Sequence, residues 1–152
     1  MSDRQIIVVG YAPGELLPHK PIENGGIEYT KGVSKNKAEL IMEYLKGKNF
    51  VKNDTSIYGS NYAQFFKNIP EKVLIIGSWL EYCVEQTAQF FLRENSEVLI
   101  NPDLVISEKG LGKEDIESFL KSTLIASEYL KRTIKKTSDG LIFKQNYKFL
   151  EN

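Results

Sequence analysis

The sequence predicts an α/β fold with a mostly parallel central sheet and helices on both of its faces. Three short apolar runs carry that expectation: IIVV at 6–9, VLII at 73–76 and VLI at 98–100. Each is bounded by Gly, Pro, Asn or charge and is apolar throughout rather than alternating, which suits strands covered on both faces. The segments between them repeat apolar residues at helical spacing, and strands that alternate with helices pair in parallel through right-handed crossovers. A chain of 152 residues suits one domain, residues 1–152, large enough to bury most of its apolar surface.

After the first run, the stretch 11–32 holds three prolines and four glycines and reads as a long irregular loop. Loops of that length in compact domains are often functional. Asn36 and Glu39 make a capping signature, and Leu40, Ile41, Tyr44 and Leu45 form an apolar stripe that Gly47 ends, predicting a helix over 37–46. A shorter helix is expected from Ser60 or Asn61 through Tyr62, Phe65 and Phe66 to Pro70. Another opens beside Cys83 and buries Val84, Thr87, Ala88 and Phe91. From Glu114 onward Ile116, Phe119, Leu120, Thr123, Leu124 and Ile134 keep helical spacing, and Gly140 follows the basic end KRTIKK as a stop. The last apolar run, 141–143, is a strand or a tail that docks on a partner, and the segment LIFKQNYKFL serves equally as an oligomer contact or an intramolecular edge strand.

Composition removes several function classes. Lys+Arg and Asp+Glu both number 20, and no stretch gathers one sign strongly enough for a nucleic-acid footprint. One cysteine makes no internal disulfide, and the apolar run in MSDRQIIVVGYAPGE is too short for a signal-peptide core or a membrane span. The chain therefore reads as a soluble cytoplasmic protein with no membrane and no nucleic-acid partner. PGELLPHKP lacks the glycine and lysine spacing of a nucleotide cradle, and no cofactor is expected.

In such a fold ligands bind at the rim formed by the carboxyl ends of the strands. Gly10, Lys52 and the loop 77–83 all fall at or just after apolar segments, so one rim gathers them. Cys83 at the start of a helix would face unpaired backbone N–H groups and the positive end of the helix dipole, both of which favour the thiolate. The alternative for Cys83 is a small buried hydrophobe, and for Lys52 a surface lysine paired with Asp54.

The segment VLIIGSWLEYCVEQTAQFFLRENSEVLINPDLV resembles the core of the isochorismatase-like cysteine hydrolases, which include nicotinamidases and other amide-cleaving enzymes. The matching features are the apolar strand 73–76, Gly77, Cys83 with Val84, Thr87 with Ala88, the strand 98–100 and Asp103. Upstream, FVKNDTSIYGSNYAQFF is similar to the family's strand-end lysine followed by loop and helix, which sets Lys52 in the catalytic-lysine position. The likeness covers about 50–105 and leaves both ends poorly matched. It implies a three-layer α/β fold, usually a homo-oligomer, with an Asp, Lys and Cys triad acting on a small amide or related carbonyl substrate. It also implies a cis peptide near Trp79 and Leu80 whose turn aims N–H groups at the developing oxyanion.

The chain departs from that pattern at the base. Gly10 stands where the family has its first-strand aspartate, only 41 residues before Lys52, so a strand of the family fold is missing there; Leu80 replaces a threonine. A single histidine does not build the nicotinamidase metal site, so no metal is expected. Glu15 is the first choice for a substitute base, because a longer side chain from a loop can reach the thiol; the alternative is solvated loop charge. Asp54 and Glu81 neighbour the lysine and the cysteine, and His19 offers a Cys/His arrangement ranked below Glu15. Trp79, Leu80, Tyr82 and Tyr11 are the candidate substrate contacts, with ordinary core-capping aromatics as the competing reading. Two functions follow: a cysteine hydrolase with Cys83, Lys52 and Glu15, or an inactive relative that binds a small molecule or serves assembly.

Overall fold

A computed structural model of the chain describes residues 4–9, 11–12, 15–16, 31–52, 68–125 and 131–146. It is mixed α/β with a mostly parallel sheet. The strands are β1 Gln5–Val9, β2 Tyr11–Ala12, β3 Glu15–Leu16, β4 Phe50–Lys52, β5 Lys72–Ser78, β6 Glu97–Ile100, β7 Val105–Ile106, β8 Lys131–Thr137 and β9 Gly140–Asn146. The α-helices are α1 Lys31–Leu45, α2 Glu85–Arg93 and α3 Lys113–Leu124. The main sheet runs β4-β1-β5-β6-β9-β8, with β7 pairing the end of β5 beyond the reach of β6. β4, β1, β5 and β6 are parallel, while β9 and β8 add an antiparallel hairpin. The three predicted runs are all inner strands, which is why they are apolar on both faces.

Alternate residues of these strands enter two cores, as a period of two requires. Ile7, Val9, Val73, Ile75, Val98 and Ile100 join Val84, Ala88 and Phe91 of the helix after β5 and Ile116, Leu120 and Leu124 of α3. Ile6, Val8, Leu74, Ile76 and Leu99 join Ala38, Ile41 and Leu45 of α1. The predicted stripe Val84, Thr87, Ala88, Phe91 is buried as expected.

Three expectations need correction. α1 starts at Lys31, so Asn36 and Glu39 lie inside the helix and cap nothing; both are exposed. The helical spacing after Glu114 ends at Leu124, and KRTIKK is a strand rather than a helix end. In β8 the alternation Arg132, Ile134, Lys136 matches strand period as well as helix period, and Ser138-Asp139-Gly140 is a hairpin turn with Gly140 in a left-handed conformation. Residues 141–143 belong to β9, which is an inner strand between β6 and β8. Within 11–32 the described parts are the short antiparallel pair β2–β3 and the start of α1. The helix expected between Ser60 and Pro70 falls outside the described residues up to 67.

α1 is tied to the sheet by a polar bond that nothing in the sequence advertised. Lys37 donates from Nζ to the carbonyls of Pro102 at 2.9 Å and Val105 at 3.0 Å. Burial pushes its pKa down, and the nearby Asp103 carboxylate works the other way. Lys37→Met keeps the apolar stem and removes the donor, leaving two carbonyls of buried residues without their charged partner. The urea midpoint is expected to fall by the equivalent of about 1–3 kcal/mol with an unchanged m-value; an unchanged midpoint would show that water replaces the ammonium at no cost.

Candidate functional site

The chain leaves β1 toward β4 on one side and later fills β5 on the other, so the order β4-β1-β5-β6 has its switch point between β1 and β5. Register aligns the carboxyl ends there. Val8 lies opposite both Lys52 and Ile76, and Val9 lies opposite Gly77. With strands about 4.8 Å apart, the backbones of Lys52 and Ile76 sit roughly 10 Å apart across β1. Lys52 and the turn that follows β5 therefore share one edge of the sheet. The side chains of Lys52, Glu15 and Tyr11 lie outside the described residues, as do Gly10, His19 and Asp54 entirely.

Past Ser78 the chain turns through Trp79, which is extended at φ −101 and ψ 142, into a π-helical turn Leu80–Val84 that runs on into α2. The peptide joining Ser78 to Trp79 is cis, next to the position set by the family resemblance. The helix thus begins three residues before Cys83, and the thiol is not at its tip. The Trp79 carbonyl accepts from the N–H groups of Tyr82 and Val84, both at 3.1 Å. The acid of the first turn is Glu81, which meets the positive end of the dipole ahead of the sulfur.

That arrangement reverses the expected electrostatics of Cys83. The thiol is half-buried and packs against the larger core. Burial raises its pKa, and a backbone hydrogen bond from Trp79 only partly offsets this. Because the folded state holds the proton more tightly than the unfolded chain, this group costs stability as pH rises from the ordinary thiol range to its raised value.

The Glu81 carboxylate is engaged by the loop after β7. It accepts from the Ser107 hydroxyl and, at 2.9 Å, from the Glu108 N–H. Ser107 Oγ in turn accepts from the Lys109 N–H at 3.0 Å. These bonds fasten the cysteine-bearing turn to the loop after β7. Tyr82 stands 49% exposed and donates from its hydroxyl to Glu108 Oε1 at 3.2 Å, a bond that raises its pKa. Leu80 is fully buried in the larger core, so its side chain faces no opening, contrary to its assignment as a substrate contact. Trp79 is half-buried against the α1-side core.

One polar group at this edge went unnoticed in the sequence. Ser78, the last residue of β5, is 1% exposed, and its Oγ is the buried side-chain atom without a hydrogen-bond partner among the described residues. A serine ending an apolar strand carries no signal by itself, because only the fold shows that its hydroxyl is buried. Comparison of the chain with models of known protein families, with curated proteins and with solved structures returns no match. No helix among the described residues is long and apolar enough to cross a membrane.

Proposed function

We propose that the carboxyl edge between β1 and β5 is the small-molecule site of a cysteine hydrolase of the isochorismatase-like type, acting on a small amide or related carbonyl compound. In this reading the fold is three-layered, with α1 on one face of the sheet and α2 and α3 on the other. Cys83 attacks the carbonyl carbon, the C–N bond breaks, and the amine leaves with the thiol proton. Water then cleaves the thioester, releasing the acid and restoring the thiol. Lys52 favours the thiolate, and Glu15 carries the proton.

The observation that carries this reading is the register that lines up Lys52, Val8 and Ile76 beside the cysteine-bearing turn at the switch point. Ser78 adds to it, since a buried hydroxyl without a partner among the described residues, at a strand end, is a group that a bound ligand would satisfy. A second reading is favoured by the raised thiol pKa and by the engagement of Glu81: a relative that binds a small carbonyl compound without turning it over.

Alkylation of Cys83 by iodoacetamide separates the two. The free protein is expected to show a rate that rises with pH through a midpoint above that of an ordinary thiol. For a hydrolase, mixing with a panel of small amides and esters yields a covalent adduct on Cys83 by intact mass, absent in Cys83→Ser and slowed in Lys52→Ala. Ligand-dependent protection from alkylation with no adduct and no product would establish the binding protein instead.

A further inference from the structure

The turn that carries Cys83 is gripped from outside by a small cradle that supports itself. Ser107 to Gly110 follow β7 as a tight turn: the Gly110 N–H donates to the Ser107 carbonyl at 3.1 Å, and the Lys109 N–H donates to Ser107 Oγ at 3.0 Å. Two donors of this turn are left over, the Ser107 hydroxyl and the Glu108 N–H, and both go to the Glu81 carboxylate. Ser107 is buried, so its hydroxyl depends on that carboxylate rather than on bulk water. The cradle is in turn fixed to the sheet. β7 pairs the end of β5 just before it, and Lys37 of α1 holds the Val105 carbonyl.

Glu81 stands two residues before Cys83 in the same π-helical turn, so cradle and sulfur are joined through one short piece of backbone. A second contact runs beside the first, from the Tyr82 hydroxyl to Glu108 at 3.2 Å. Residues two apart on a helical turn point to nearly opposite sides. A pull on Glu81 toward the loop therefore presses Cys83 the other way, toward the larger core against which it packs. The charged groups on the two joined elements are Glu81 and Glu85 on the helical run and Glu108 and Lys109 on the loop. At the sulfur itself burial outweighs any neighbouring charge, so the cradle acts on the thiol through position. We propose that Glu81 is a positioning residue of the candidate site: its bonds to Ser107 and Glu108 keep Cys83 sheltered, and their release is the step that brings the sulfur out to a ligand. This rests on Cys83 being the reacting group of the reading above, and it adds the means by which that group is held back.

Iodoacetamide kinetics on the full chain across pH test it with no substrate present, so the outcome is separate from whether the chain cleaves an amide. Glu81→Ala removes the acceptor of both bonds. Its alkylation at neutral pH is expected to be about tenfold faster than wild type, with a pH midpoint shifted down toward that of an ordinary thiol, since one unit of thiol pKa is worth about tenfold in thiolate below the midpoint. Glu81→Gln keeps an oxygen for the Glu108 N–H and offers an amide to Ser107 Oγ, so it should stay within about twofold of wild type. Ser107→Ala should move rate and midpoint in the same direction as Glu81→Ala, and adding it to Glu81→Ala should change little further, because both remove one contact. Should Glu81→Ala not fold, the comparison of Ser107→Ala with wild type and Glu81→Gln decides. Wild-type rates and midpoints in the alanine variants that fold would overturn the proposal, because the core alone would then shelter the thiol. A Glu81→Gln that reacts as fast as the alanine variants would overturn it equally, since charge rather than the bonds would set the reactivity.

Discussion

Gly77→Ala is expected not to accumulate as a folded, soluble protein. Gly77 sits in the middle of the sheet opposite Val9 of β1 with φ +126, a conformation that side-chain-bearing residues rarely adopt. A β-carbon there would overlap the Val9 carbonyl oxygen and lie 3.0 Å from its carbonyl carbon. The obstacle is backbone of an inner strand, which has no rotamer to change. Conformational strain of about 1–3 kcal/mol adds to the cost of spreading β1 from β5, so the total loss is expected to exceed roughly 4 kcal/mol out of a net stability of about 5–15 kcal/mol. Gly47→Ala supplies the control: φ is +73 but nothing lies within 4 Å of the added carbon, so only about 1 kcal/mol should be lost. Urea titrations of the two variants, with soluble yield as a second readout, check the difference. Equal midpoints would mean that β1 and β5 do not approach as closely as their register implies.

Phe91→Ala is expected to cost about 3–5 kcal/mol and to lower the melting temperature by roughly 10 °C or more. Phe91 is fully buried, and its ring meets Phe90 edge-on with centroids 5.0 Å apart at 81°. It is among the largest side chains of the core that holds α2 against the sheet, and removing it leaves a void that neighbours packed this tightly cannot close. Because α2 continues the turn bearing Cys83, alkylation of that thiol should also quicken as burial loosens. Calorimetry and iodoacetamide kinetics on one preparation read both effects. A melting point within a degree or two of wild type would show that the helix is held by its other contacts.

The parts of the fold that were legible in the sequence are those governed by one strong signal. Continuous apolar runs found β1, β5 and β6, and the stripe Val84, Thr87, Ala88, Phe91 found the buried face of the helix after β5. The C-terminal hairpin was missed because Ile116 through Ile134 satisfy helical spacing by coincidence, and the Asp139-Gly140 turn that contradicts it was read as a helix stop. Charge and tertiary pairing set the rest. The start of α1 at Lys31 ignores the Asn36 cap, and Lys37 reaches carbonyls 65 and 68 residues away. At the candidate site, Cys83 and Lys52 were singled out from their places beside strand ends and from the family resemblance, whereas the burial that raises the thiol pKa belongs to the packed fold and has no signature in the residue pattern. The engagement of Glu81 with Ser107 and Glu108 was invisible for the same reason, since those residues lie 26 and 27 positions downstream.

The central place of β1 has a consequence for biogenesis. Gln5–Val9 leaves the ribosome before either of its neighbours, β4 and β5, has been translated. Until Lys52 emerges, a nascent IIVV segment has both hydrogen-bonding edges open, and until Ser78 emerges the edge that β5 will fill stays open, which is the state that chaperones capture and that aggregates when they do not.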